Sequence, residues 1–583
     1  MAIKTTYLAA IAVVIVVAVG IGGYMYYQNM QAEALKQERY QRWVEWSKTL
    51  YIATLRSYQH PDIDVGYGGI ERIDAWMRAG KLLYPDPDVP GKYHLYLAES
   101  WELKQNPAGE WYVEYQLKPG LKFPDGTDVD AAAVKYSWER ELAVSTREAN
   151  RETGHVHWSQ TSWERLEAPE KYTLWQFTPD PSPTFLPHPF AGMFLLQHGF
   201  VKSPTSSEEW CKENDPLEGM INQVGYGPFK LVSFVPGEKV VYEAWEDMPE
   251  NPSPLPTKPG VEEMVFITYA DSVTLRMALE KGDIDLTIRP GPTLGRGDAK
   301  DLETNPNIEV QYSPGMGRGM WIFMNYRPEF SPLNDTRVRK AIAYATFPEE
   351  IVEKTMFGIG NVADSIVHPW MPYYIPAFDI YRKLPAEERI ANAKALLAEA
   401  GYPNGLTLDF WYSAGAAADL EREQATILQA QLKKIGIDLN LKMAESGVYS
   451  DMRREGKIGM SFGGWDPDYA DPDSDIYSQM DINGDRYASY IGYDNPYARE
   501  LIKKGKDLYD PTGDPPERKA IYEELQRIWA DDVVGVNIYH NTNYDAMRTW
   551  VKGFKYPWHN NFDALWSAYK EIPSDWETKE PPH

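Results

Sequence analysis

Residues 111–140 read WYVEYQLKPGLKFPDGTDVDAAAVKYSWER. Trp111–Leu117 alternates between apolar and polar residues, the pattern of a half-buried strand. Lys-Pro-Gly at 118–120 and Pro-Asp-Gly at 124–126 then supply turn chemistry. Asp130 stands where a helix needs an N-cap, and Ala133, Val134, Ser137 and Trp138 share one helical face. One stretch therefore predicts strand, turn, turn and helix.

The same alternation extends outward in both directions. Thr49–Ala53 reads as the first strand of a globular body, and Pro85–Gly91 as a proline-rich turn. Val261–Tyr269 predicts a strand, Asp271–Lys281 a helix closed by Gly282, and Ile284–Ile288 another short strand. Proline-rich loops fall at 179–189 and 249–259, and strand and helix alternate again from Trp321 to Val536. This order implies an α/β fold rather than a sandwich or a helical bundle. A chain of 583 residues exceeds what one hydrophobic core holds, so at least two lobes are expected.

The formal charge of −26 argues against nucleic acid, because a phosphate binder needs clustered Lys and Arg. The single cysteine, Cys211, rules out an intramolecular disulfide and any Cys-based zinc site. The 20 Trp and 39 Tyr serve core, interface or ligand stacking, and composition does not separate these uses.

Tyr7–Tyr27 is a run of 21 residues without a charge. As a helix it spans about 31 Å, enough to cross a bilayer core. Secretory signals carry a shorter apolar region and then a small-residue cleavage site, for which Ala18-Val19-Gly20 is a candidate. The length favours a retained single-pass anchor at 7–27, with the bulk of the chain outside the cell membrane. Residues 28–48 read as a helical stalk.

Some motifs invite chemistry and then fall short of it. Gly459-Met-Ser461-Phe-Gly463 matches a nucleophile-elbow pattern, but Gly464-Trp465-Asp466-Pro467 follows where a helix must begin. Gly315-Met-Gly317-Arg-Gly319 lacks the Lys-Ser/Thr of a phosphate loop and reads as a crossing between lobes. His155-Val-His157 offers two imidazoles without a third ligand. Asn334-Asp335-Thr336 is both a glycosylation acceptor and a helix cap. The run Asp466–Asp475, DPDYADPDSD, presents many carboxylates, but it lacks the Gly and terminal Glu of a calcium loop. Either these oxygens bind an ion, or one of them meets a ligand in a cleft.

Five segments in order carry a resemblance: LAESWE at 97–102, KPGLKFPDGTDVDAAAVKYSWER at 118–140, GYGPFKLVSFVPGEKVVYEA at 225–244, MNYRPEFSPLNDTRVRKAIAYA at 324–345 and AKALLAEAGYPNG at 393–405. Together they resemble the family 5 extracellular solute-binding proteins of ABC importers, whose members take oligopeptides, dipeptides, nickel complexes or oligosaccharides. The resemblance covers roughly Thr49 to Tyr569. It implies a two-lobe α/β periplasmic-binding-protein-like fold (type II, the large cluster) with a hinge and an interlobe ligand cleft. Lobe I would comprise 49–311 and 542–583, and lobe II 312–541, with crossings near 310–319 and 537–543.

Such a protein is no enzyme and carries no cofactor or resident metal. Its partners would be a peptide or oligosaccharide ligand and the permease and ATPase subunits, and it would act as a monomer. The peptide-binding members have Gly-Trp, two residues, then an Asp that holds the α-ammonium of the ligand, which places that role on Asp468, with Trp465, Asp466 and Tyr469 beside it. The Arg that takes the ligand carboxylate in dipeptide-type members is missing after Leu408–Tyr412, where Ser413–Ala418 follows. Arg318 or Arg422 is a substitute. The oligosaccharide alternative would use Trp321, Trp411, Tyr412, Trp465 and Tyr469 as an aromatic lining.

Overall fold

The computed structural model describes residues 2–55, 73, 77–85, 93–145, 164–178, 224–246, 259–288, 294–313, 317–415, 418–467, 470–483, 487–510, 513–556 and 565–582. Cys211, the His155–His157 pair and the proline-rich loop at 179–189 lie outside them, as do Gly315, Asp468 and Tyr469.

Among the described residues, two large sheets divide the body. In the first, the strand order is Ile308–Tyr312, Tyr544–Arg548, Leu286–Thr287, Thr49–Thr54, Glu263–Thr268, Lys239–Ala244 and Phe229–Val235. In the second it is Asn361–Val362, Gly535–His540, Gly319–Met324, Met460–Trp465, Leu406–Ser413 and Ile437–Ala444. A smaller antiparallel sheet contains Trp111–Leu117, flanked by Ala98–Gln105 and Thr173–Thr178.

The local chemistry follows the sequence closely. Thr49–Thr54 runs parallel to Glu263–Thr268, residue for residue from Thr49 opposite Glu263 to Thr54 opposite Thr268. Parallel neighbours need a long crossover connection, which the intervening chain supplies. The Asp271 side chain accepts the Thr274 N–H at 2.8 Å and starts the helix Ser272–Lys281. Gly282 ends that helix at φ 93°, a left-handed position that favours glycine. Asp130 accepts the Ala133 N–H at 2.9 Å at the start of Ala131–Ser145, and Asp335 caps Thr336–Ala345. Gly319–Met324 and Gly535–His540 are buried at every position; the first reads as an unbroken apolar run, while the second also buries the polar Asn537 and His540.

The chain leaves the first sheet after Tyr312 and enters the second at Gly319; it returns between His540 and Tyr544. The two crossings touch. The Ser313 N–H donates to Asn543 O at 2.8 Å, and the Asn541 N–H to Arg318 O at 2.9 Å. They approach so closely that a Cβ on Gly317 would collide with the Asn541 carbonyl oxygen.

The anchor candidate and stalk form one helix, Ala2–Ser47. From Ala18, where described side chains begin, no helix is long and apolar enough to cross a membrane. The last turns of this helix are docked to the body. Trp43 and Trp46 are 2% and 5% exposed, and their rings meet edge to face at 4.9 Å. Trp46 in turn meets Trp550 edge to face at 5.3 Å. The Trp43 indole N–H reaches Trp576 O and Lys579 O, each at 3.3 Å. Lys36 pairs with Glu577 at 2.8 Å, and Arg39 and Arg42 with Glu580 at 3.1 and 3.2 Å. Exposed pairs of this kind contribute little, so burial of the two indoles carries the dock. Trp43→Ala is expected to weaken it by about 3–5 kcal/mol. Hydrogen exchange would read this as lost protection over 28–47 with both lobe cores unchanged; unchanged protection over 28–47 would contradict it.

Candidate functional site

A cavity of about 320 Å³ lies where the lobes join. Arg296 reaches it from the first-lobe helix Arg296–Leu302, while Arg318 and Asn541 come from the two crossings. The second lobe supplies Met320, Phe462, Gly463, Gly464 and Tyr539 from its strands. Leu420, Glu421 and Gln424 come from the helix Ala418–Lys433, and Tyr449 and Arg453 from Ser446–Arg454. A larger groove of about 770 Å³ runs between the helices Pro348–Met356 and Ala386–Glu399. Its described lining comes from the second lobe alone.

The glycine pair at 463–464 makes room for an arginine. A Cβ on Gly464 would approach Arg318 Nε at 2.6 Å. Without it, the Arg318 guanidinium lies across the strand and donates to Gly464 O at 2.8 Å. Asp466 Oδ2 stands 3.5 Å from Arg318 Nη1. Asp466 thus stands beside Arg318 at the edge of the cavity. Arg453 lies over the ring of Tyr487 at 4.8 Å, with Tyr449 at 5.7 Å and Tyr490 at 5.9 Å. Arg296 Nη2 donates to Asn541 Oδ1 at 3.1 Å. Glu421 accepts the Ser413 N–H at 3.3 Å, and burial pushes its carboxyl pKa up. Gln424 Nε2 donates to Thr355 Oγ1 and Tyr539 OH, each at 3.2 Å.

The other described aspartates of the acidic run, Asp471, Asp473 and Asp475, face separate partners rather than one ion. Asp471 caps the helix Pro472–Met480 and meets Arg518 through both oxygens, each at 2.9 Å. Asp473 accepts from Tyr522 OH at 3.1 Å. Asp475 Oδ2 lies 3.0 Å from His368 Nδ1, while His368 Nε2 reaches Gly317 O at 2.8 Å. A carbonyl only accepts, so Nε2 carries a hydrogen. Burial raises the Asp475 carboxyl pKa, so it holds a proton more readily than an exposed aspartate. His540 stacks on His368 at 4.0 Å, and burial keeps it neutral by pushing its pKa well down. This cluster contacts the Gly317 crossing, which is a structural reason for the acidic run.

Arg318 thus lines the cavity, and Asp466 stands against it. Trp465 is half-buried against the second-lobe core. Trp321 is 0% exposed and packs on Trp529 and Phe323 in that core, because its strand is covered on both faces. Trp411 and Tyr412 sit on Leu406–Ser413 and do not line the cavity. Arg422, on the exposed side of its helix, pairs with Asp419 at 3.0 Å. Ser461 is 4% exposed within the strand Met460–Trp465, with no turn to present its hydroxyl. Sequence reasoning missed Arg296, Arg453, Glu421 and Gln424. Only Tyr449 and Arg453 carried a local signal, as an i,i+4 pair on one helix face.

Residues 92–485 match the family profile described as Bacterial extracellular solute-binding proteins, family 5 Middle. The chain is 24% identical over 489 residues to the dipeptide-binding protein of Escherichia coli (strain K12), covering 80% of this chain and 83% of that protein. It is 24% identical over 470 residues to heme-binding protein A of Haemophilus influenzae, covering 79% and 81%. Among solved structures, the periplasmic binding protein DppA of Helicobacter pylori in complex with the peptide STSA superimposes with a TM-score of 0.64 at 24% identity, covering 90% of this chain and 98% of that one. Two α/β lobes, a double crossing and a family match over most of its length identify this chain as a member of the family 5 extracellular solute-binding proteins, the non-enzymatic substrate-binding proteins of ABC transporters.

Proposed function

We propose that this protein captures a peptide between its lobes and passes it to an ABC permease, while its N-terminal helix holds it to the outer face of the cell membrane. The carrying observation is the cavity at the crossings, lined from both lobes, so that a bound ligand favours the shut form. Asp468 is the proposed seat of the ligand α-ammonium, with Trp465 and Tyr469 beside it. The described neighbours Gly464 and Asp466 support this, since one lines the cavity and the other meets Arg318. An oligosaccharide fits less well. The aromatic residues among the described lining are Tyr449, Phe462 and Tyr539, 6%, 2% and 3% exposed, which leaves no broad ring face for a sugar.

Support for the anchor comes from Tyr24, Tyr26 and Tyr27, exposed at the end of the apolar run as interfacial tyrosines are. The helix then continues into the docked turns around Trp43, which suits a tether better than a cleaved leader.

The test is to release and identify by mass spectrometry the small molecules that co-purify with residues 31–583. Calorimetry then compares wild type with Asp468→Ala. A released peptide whose affinity falls about 30-fold, about 2 kcal/mol, in the variant is the expected result. A released glycan, or peptide binding indifferent to the substitution, would retire the ammonium clamp.

A further inference from the structure

We propose that Asn334 is an N-glycosylation site, and that it carries its glycan at the end of the second lobe remote from the crossings. This assignment is independent of the ligand and has one premise, that the bulk of the chain is extracytoplasmic, as its family is.

Asn334-Asp335-Thr336 is the one Asn-x-Ser/Thr triplet in the 583 residues whose middle residue is not proline; Asn251-Pro-Ser253 fails on that point. In sequence the triplet has two competing uses, because a polar residue before a helix also serves as its cap. The fold separates them. The cap is Asp335, whose Oδ1 accepts the Arg337 N–H at 2.8 Å, and the Arg337 guanidinium closes on the same carboxylate at 2.6 Å. The backbone of the turn is held from inside by Arg339, which is 2% exposed. Its Nη1 donates to Leu333 O and Asn334 O, each at 2.9 Å. Its Nη2 donates to Thr336 Oγ1 at 2.8 Å and to Asp532 O at 3.1 Å. Asn334 itself is exposed, and its side-chain amide meets no partner among the described residues. The turn is therefore fixed by other side chains, and the asparagine that points to water has no structural task. A glycan is bulky and hydrophilic, and this position takes one without disturbing any packed contact.

The place of Asn334 in the lobe keeps that bulk off the cleft. The strand Gly319–Met324 begins at the cavity, where Met320 lies opposite Gly464, and ends with Met324 opposite Met460. Five residue steps carry the chain about 17 Å away. Leu333 stands beside Gly459 at this far end, and none of residues 325–345 is among the described lining of the cavity. The donor is a lipid-linked glycosyl phosphate. A bond forms between Asn334 Nδ2 and the anomeric carbon, and the bond from that carbon to the phosphate oxygen breaks. The lipid phosphate leaves and takes up the proton that Nδ2 gives up, so nothing is oxidised or reduced.

The experiment isolates the full chain from the membranes of its own cells and digests it with trypsin. The site lies on the peptide 319–337, which stays whole at Arg327 because Pro328 follows. This peptide is expected to carry the mass excess of a glycan, localised to Asn334 by fragmentation. Asn334→Gln and Thr336→Ala, expressed in the same cells, should each abolish the excess. Thr336→Ser restores the hydroxyl and should keep it, which separates loss of the acceptor from a folding defect. Recovery of 319–337 from wild type at its plain residue mass would overturn the proposal, as would an excess that survives Asn334→Gln.

Discussion

Arg518→Ala is expected to destabilise the second lobe by about 3–5 kcal/mol, because it strands two buried carboxylates. Arg518 is 0% exposed. Its guanidinium meets Asp471 through both carboxylate oxygens at 2.9 Å and Asp514 at 2.5 Å, while its Nε donates to Gly505 O at 2.9 Å. Those contacts tie together the helices Pro472–Met480, Pro496–Asp507 and Pro516–Asp532. The loss comes from uncompensated charge more than from missing attraction. The double variant Arg518→Met with Asp471→Asn keeps a capping side chain and strands one carboxylate, Asp514, instead of two, so it should lose less than Arg518→Ala. Urea unfolding of the three proteins checks this ordering. A double variant less stable than the single one would show that the ion pair itself holds the helices.

In the first lobe, Asp285→Ala is expected to cost a similar amount, about 3–5 kcal/mol, with a pH dependence of definite sign. Asp285 accepts the Tyr51 N–H at 2.8 Å and the Trp550 indole N–H at 2.7 Å, and pairs with Lys570 at 3.2 Å. Both charged side chains are 0% exposed. Burial pushes the Lys570 pKa down, and Asp285 offsets part of that shift. Without Asp285 it falls further. The unfolded chain keeps this proton up to about pH 10.4. Between the depressed folded pKa and that value the unfolded state binds more protons, so stability of the variant rises with pH. The deficit should therefore shrink as pH rises from the further depressed Lys570 pKa of the variant to the less depressed one of the wild type. A deficit that stays constant over this range would mean that Lys570 is not the stranded charge. Lys570 also lies 3.9 Å from the Trp46 ring centroid, so the variant should loosen the N-terminal dock as well.

Both predictions concern charges whose partners are distant in sequence, and that is where sequence reading stops. Asp271 and Gly282 announced their helix correctly, because a cap is made by residues within one turn of it. The acidic run was legible only as a concentration of carboxylates. Arg518 lies 47 residues beyond Asp471, and His368 lies 107 residues before Asp475. Nothing local distinguishes an aspartate that will meet a buried arginine from one that will meet a ligand or an ion. Trp321 shows the same limit: an aromatic in an apolar strand fits a core and a binding platform equally well until the covering layers are known.

What the sequence determined by itself was local and familial. Period-two and helical patterning marked strands and helices, caps and turns marked their ends, and the ordered motifs from Leu97 to Gly405 pointed to the two-lobe family. What only the tertiary structure decided was which side chains meet. It put Arg296, Arg318 and Arg453 around one cavity, placed Trp321 in the core and docked Trp43 against a tail 533 residues away. The reason is physical. Periodicity specifies which face of an element is buried, whereas a site is made by the approach of several faces, and that approach depends on the packing of the whole chain.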